Sequence, residues 1–113
     1  MPSERIQIRT SVTPRGVTVI TPAGELDYGS AAALEAALTE TGRLPCAVVD
    51  FPHITFIDSS GITALLRASH TLRAAGGWLR LSSVPDTPLR AMRIVGIDQV
   101  IDVYPSLGGA LRT

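Results

Sequence analysis

With 113 residues, 45% of them hydrophobic, the chain is long enough to bury one continuous core and too short for two ordinary domains, so a single domain over 1–113 is expected. Ten arginines and no lysine balance ten acidic residues, and a formal net charge of zero gives no electrostatic reason to bind nucleic acid, a polyphosphate or an anionic membrane. The lone cysteine, Cys46, sits in the apolar run CAVVDF and cannot form an internal disulfide, no basic-then-apolar leader opens the chain, and no run reaches the roughly eighteen apolar residues of a membrane span, so a soluble protein of the reducing cytoplasm is expected.

Residues 5–12, RIQIRTSV, alternate as a half-buried strand does, with Ile6 and Ile8 on one face, extended by Thr10 and Val12. Pro14 and Gly16 in TPRG make a turn, and VTVITPAG alternates again through Val17, Val19 and Thr21, which predicts an antiparallel hairpin. After GELDYG, Ser30 is the predicted cap of a helix through AAALEAALTETG, with Leu34 and Leu38 one turn apart and Gly42 as its stop. CAVVDF is a short β-branched run without alternation, the pattern of a strand covered on both faces. A helix starting near Ser59 places Ile62, Leu65, Leu66, Ser69 and Leu72 on one side and Ser60, Thr63, Arg67 and His70 on the other, and Gly76 and Gly77 end it. WLRLSSV alternates as a strand led by Trp78. Asp86 or Thr87 then caps a helix with Pro88 in its first turn, running to a stop at Gly96. VIDVYPS reads as the last strand, and LGGALRT as a weak terminal helix because of its glycine pair. The order predicts an α/β domain with a mostly parallel sheet of four to five strands, a hairpin edge and about four helices.

The stretch FIDSSGITALLRASH, residues 56–70, sets a carboxylate and two hydroxyls where an apolar run gives way to the second helix. A serine hydrolase would need a base beside Ser59 or Ser60; DSSG lacks the glycine two residues before the serine that a nucleophile elbow uses, and His70 lies roughly 15 Å along the same helix. That reading is a remote alternative. Two histidines seventeen residues apart and one distant cysteine match no common zinc spacing, and neither AGGWLR nor SLGGAL carries a phosphate-loop lysine or a three-glycine fingerprint, so no cofactor is expected. Asp58, Ser59 and Ser60 are residue types that satisfy the orphan amides of a helix start, and in isolation they read as a plain cap. A hydroxyl at that surface position can also receive a phosphate, because the helix N-terminus tolerates an added charge of about −1.5 to −2.

FIDSSGITALLRA resembles the phosphorylation segment of the STAS domain, as found in the small bacterial anti-sigma factor antagonists. The resemblance extends to GELD at 24–27, to AVVDF at 47–51 and to MRIVGIDQVIDVYPS at 92–106, and covers roughly residues 5–110 in register. It implies a non-enzymatic regulator of transcription whose Ser59 is phosphorylated by an anti-sigma factor that is also a GHKL-type serine kinase. The unphosphorylated form then binds that partner and frees a sigma factor, the phosphorylated form lets go, and a PP2C-type phosphatase restores it. By the same resemblance Asp58 positions the acceptor hydroxyl, Ser60 is a neighbouring cap or contact, Gly61 allows the partner backbone to come close, and Asp27 of GELD lies near the docking face; independently of it, the stripe of Ser60, Thr63, Arg67 and His70 faces away from the core and can serve as a contact surface. YGS at 28–30 departs from the family's usual continuation of that loop and bears on which kinase is chosen. The alternative is a STAS scaffold subunit of a stress-signalling or lipid-transport assembly, making the same contacts without phosphorylation.

Overall fold

The computed structural model describes residues 6–112; Arg5 of the predicted strand 5–12 and Thr113 of the predicted terminal helix lie outside that range. Strands β1 (Ile6–Val12) and β2 (Thr18–Leu26) form the expected antiparallel hairpin, in register from Ile6 opposite Gly24 to Val12 opposite Thr18. Its turn closes as the Gly16 N–H donates to the Thr13 carbonyl at 2.8 Å and the Thr13 N–H donates to the Val17 carbonyl at 2.9 Å. Gly16 takes φ +94°, a left-handed setting that a β-carbon resists. Ile6 is buried and Ile8 packs on the core, but Thr10 and Val12, nearer the turn, are exposed, so only the first half of the predicted apolar face is used.

One edge of β2 belongs to β1, and its other edge is shared. β3 (Cys46–Asp50) runs parallel to Thr18–Ile20, and β4 (His53–Ile57) runs parallel to Ala23–Leu26. The sequence pattern marks only the first of these; the second follows Pro52, which has no N–H to give a ladder and so breaks the run in two. β5 (Trp78–Ser82) pairs parallel with β3, and β6 (Asp102–Tyr104) with β5, giving six strands in the order β1-β2-β3-β5-β6 with β4 beside β2. The start of β2 is covered on both faces, with Ile20 in the main core and Val17, just before the strand, in a smaller cluster, and Val17, Thr18, Val19 and Ile20 are all buried, so the alternation seen in the sequence does not correspond to an inside and an outside.

Helices α1 (Tyr28–Thr39), α2 (Ser59–Ala74) and α3 (Asp86–Ile94) cover one face. Leu34, Leu38, Leu65, Ala68, Leu72 and Met92 from these helices meet Ile20, Val49 and Leu81 of the sheet in the main core. Each leucine, isoleucine, valine or methionine buried this completely contributes roughly 1.5–3 kcal/mol. A 3₁₀ turn (Ile97–Gln99) and helix α4 (Leu107–Leu111) complete the chain, and Ala110 of α4 closes a smaller cluster with Val17 and Val48 on the opposite face. The main polar group inside the sheet is matched across β3 and β5, where the Ser82 hydroxyl donates to Asp50 Oδ1 at 2.8 Å.

Three helix details differ from the sequence expectation. α1 is capped by Asp27, with Ser30 three residues on as its reciprocal partner. α3 starts after Pro85 without a side-chain cap, so neither Asp86 nor Thr87 plays that part; the Leu89 N–H closes the first turn on the Pro85 carbonyl at 2.9 Å, and Asp86 instead lies in the first turn, where the helix dipole favours a carboxylate. Along α2 the buried stripe is Gly61, Ala64, Leu65, Ala68, Ser69 and Leu72; Leu66, about 100° round from Leu65, falls on its flank and is exposed.

Candidate docking and modification site

Two helix N-termini sit side by side at the carboxyl ends of β2 and β4. The Asp58 N–H donates to the Leu26 carbonyl at 3.1 Å, carrying the β2–β4 pairing one step past Ile57 and fixing where α2 begins. Asp58 is the cap itself: its Oδ1 accepts from the N–H groups of Ser60 at 2.9 Å and Gly61 at 3.2 Å. Ser59, the first helical residue, is exposed and its hydroxyl makes no hydrogen bond with any described residue. The two neighbouring serine-type positions therefore differ. Ser60 gives its amide to the cap and is half-buried, while the Ser59 oxygen is free of structural duty.

Gly61 is buried beneath them. A β-carbon there would lie 2.6 Å from Leu26 Cγ, 2.9 Å from the Leu26 carbonyl oxygen and 3.0 Å from Ile57 Cγ1, so the close approach that glycine permits is that of α2 onto the chain's own β2 and β4. α1 is seated by a second device. Asp27 Oδ1 accepts from the Ser30 N–H at 3.2 Å, the Ser30 hydroxyl accepts from the Asp27 N–H at 2.9 Å, and that hydroxyl also donates to the Glu25 carbonyl at 2.7 Å. This capping box holds Asp27 and Ser30 buried, with Asp27 at the head of α1 rather than out on the surface.

Between the two helices runs a groove of about 570 Å³, lined on the α1 side by Tyr28, Ala31, Ala32 and Glu35 and on the α2 side by Ser59, Ser60, Thr63 and Arg67. Arg67 faces Glu35 across it at 3.9 Å, a long pair between partly solvated groups that restrains the side chains only weakly. The structure thus brings Ser59, Ser60, Thr63 and Arg67 to one groove with Asp58 at its head, and leaves Asp27 and Gly61 as the supports that position the two helices. The α1 side of the groove is what the sequence reading lacks: Ala31, Ala32 and Glu35 are not singled out there, and Tyr28 enters only as part of the YGS loop. Their signal is there in retrospect: Tyr28, Ala31, Ala32 and Glu35 recur at the three- and four-residue steps of one helical stripe, and the ring of Tyr28 stands 86% exposed at the groove's end. Among the described residues no group of three or more His, Cys, Asp or Glu side chains could hold a metal ion, and no helix is long and apolar enough to cross a membrane.

Comparison with known proteins joins this geometry to a family. The family model described as the STAS domain matches residues 8–110. Among solved structures, an anti-sigma factor antagonist from Mycobacterium paratuberculosis is similar with a TM-score of 0.81 and 24% identity, over 98% of this chain and 96% of that one. The anti-sigma factor antagonist SpoIIAA in its unphosphorylated form is similar at 0.71 and 22% identity, over 92% and 93%. A sulfate transporter family protein from Wolinella succinogenes is similar at 0.75 and 25% identity, over 89% and 86%.

Proposed function

The chain belongs to the STAS domain family, and from that premise we propose that it is a cytoplasmic anti-sigma factor antagonist, itself without catalytic activity, that switches partners through phosphorylation of Ser59. One observation carries the reading: Ser59 is exposed at the head of α2, next to the capping carboxylate, and its hydroxyl is not used by the fold. In the unphosphorylated state the α1–α2 groove docks an anti-sigma factor bearing a GHKL-type serine kinase domain, and the sigma factor that partner held is freed. The kinase moves the γ-phosphoryl group of ATP onto Ser59 Oγ, releasing ADP, with the hydroxyl proton leaving to a base on the kinase. A PP2C-type phosphatase reverses the change.

Electrostatics at the cap explain why such a phosphate would act on docking. Asp58 already occupies the amides of Ser60 and Gly61, so a dianion on Ser59 is not drawn into the helix end. It stands beside a carboxylate at the rim of the groove, where it repels an acidic partner surface and leaves the packed core untouched. The likeness to the sulfate transporter family protein favours a second reading, a STAS docking module that works without phosphorylation. Incubation with candidate GHKL kinases and ATP, followed by intact mass and peptide mapping, separates the two. A single phosphate on Ser59 is the expected result, with Ser59→Ala still bound and Ser59→Asp released; equal binding by wild type and both variants would refute the switch.

A further inference from the structure

A second cleft, of about 730 Å³, lies where α3, the 3₁₀ turn and β6 close the far edge of the sheet. Val84, Leu89 and Val103 give it an apolar lining, and Arg93, Asp98 and Asp102 bring charge of both signs to it. None of these three charged groups has an ion pair with a described residue, although they line one cleft. The same stretch of chain is unusually apolar on its outside. Among the described residues, three of the eight exposed large hydrophobics fall within residues 94–100: Ile94 at 78% exposure, Val95 at 60% and Val100 at 48%. Single exposed aliphatics are ordinary, but three within seven residues of a stretch that also gives the cleft Arg93 and Asp98 are a reason to look for a surface that meets another macromolecule.

Charge decides what that macromolecule is. A basic peptide would satisfy Asp98 and Asp102 and be repelled by Arg93; an anionic lipid surface would suit Arg93 and be repelled by the two carboxylates. A second copy of the chain suits all three, because a two-fold rotation that places Arg93 of one copy against Asp98 and Asp102 of the other creates the reciprocal contact by symmetry. We propose that this surface is a two-fold interface with a second copy of the chain. Ile94 and Val95 of each copy cover the apolar lining of the other's cleft, and the crossed charges fix the register. The cleft shares no lining residue with the α1–α2 groove, so the interface is independent of the Ser59 reading and does not use the docking surface.

Sedimentation velocity or light scattering after gel filtration, run from about 1 µM to about 1 mM, is the direct test. The wild type is expected to pass from monomer to dimer across that range. Arg93→Asp alone, and Asp98→Arg with Asp102→Arg, should each weaken self-association at least about tenfold, with unchanged circular dichroism. An equimolar mixture of the two should recover the dimer, since each charge reversal answers the other; misfolded variants would not do this. A wild type that stays monomeric at about 1 mM overturns the proposal. So does a dimer indifferent to both reversals, a mixture that fails to associate, or retention on anionic vesicles without self-association.

Discussion

Asp58 commits one carboxylate oxygen to the amides of Ser60 and Gly61, and its charge stands next to the Ser59 hydroxyl. Substitution can separate the cap from the charge. Asp58→Ala removes both, and the unfolding free energy should fall by about 0.5–2 kcal/mol, read from urea denaturation. Asp58→Asn keeps an oxygen that caps nearly as well, so its stability should stay within about 0.5 kcal/mol of wild type while one negative charge beside Ser59 disappears. On the proposed switch, phosphorylated Asp58→Asn should therefore hold the partner more tightly than phosphorylated wild type, measured by titration calorimetry. Gly61 is constrained by packing instead. The β-carbon of Gly61→Ala would press on Leu26 Cγ and on a backbone carbonyl that cannot rotate away, so α2 must lift from β2 at a cost of about 1–3 kcal/mol. An unchanged urea midpoint for that variant would mean that α2 slides without strain.

Helix α1 shows which elements can be read from sequence and why. Leu34 and Leu38 are buried as their one-turn spacing predicts, because a helix packed on a sheet buries a stripe whatever happens at its ends. Its start is misplaced by three residues, since Asp27 and Ser30 are both cap formers and only the reciprocal hydrogen bonds reveal which one leads. Tyr28 is misplaced for the same reason: with the helix started at Ser30 it reads as loop, whereas it is the first residue of α1. β4 is missed because its five residues follow a proline and border the helix cap, and its partner on β2 lies about thirty residues away in sequence. Ser60, Thr63 and Arg67, by contrast, follow from periodicity once α2 is placed, and they share a groove with Ser59, which only the resemblance singles out; His70 of the same stripe does not line it. The box at α1 also supplies a test. Ser30→Ala strips a buried hydroxyl from the Asp27 N–H and the Glu25 carbonyl together, and leaving such groups unsatisfied costs about 1–3 kcal/mol. Thermal unfolding should shift down accordingly, with fraying of the first turn of α1 visible in amide hydrogen exchange.

Across the whole molecule the two faces of the sheet are stabilised differently, and that difference predicts what can be loosened without touching the α1–α2 groove. The face under α1, α2 and α3 is a continuous apolar core, whereas the other is covered by the five residues of α4, two of them glycine. So short a helix has little stability of its own. Arg80 supplies the tie. Its guanidinium lies 3.8 Å from the centre of the Trp78 ring and 5.8 Å from that of Tyr104, and Nη1 donates to the carbonyls of Ala110 at 2.9 Å and Arg112 at 3.2 Å. Stacking together with donation to a helix end is a task for a planar guanidinium, and an ammonium group reproduces only part of it. Arg80→Ala should release α4, raising amide exchange at residues 107–112 by about tenfold or more while protection in α2 is kept, since the hydrogen bonds and ring contacts of Arg80 go to Ala110, Arg112, Trp78 and Tyr104. Arg80→Lys should fall between the two. If α2 loosens in step with α4, the two faces are one cooperative unit, and the α1–α2 groove is not separable from the far face.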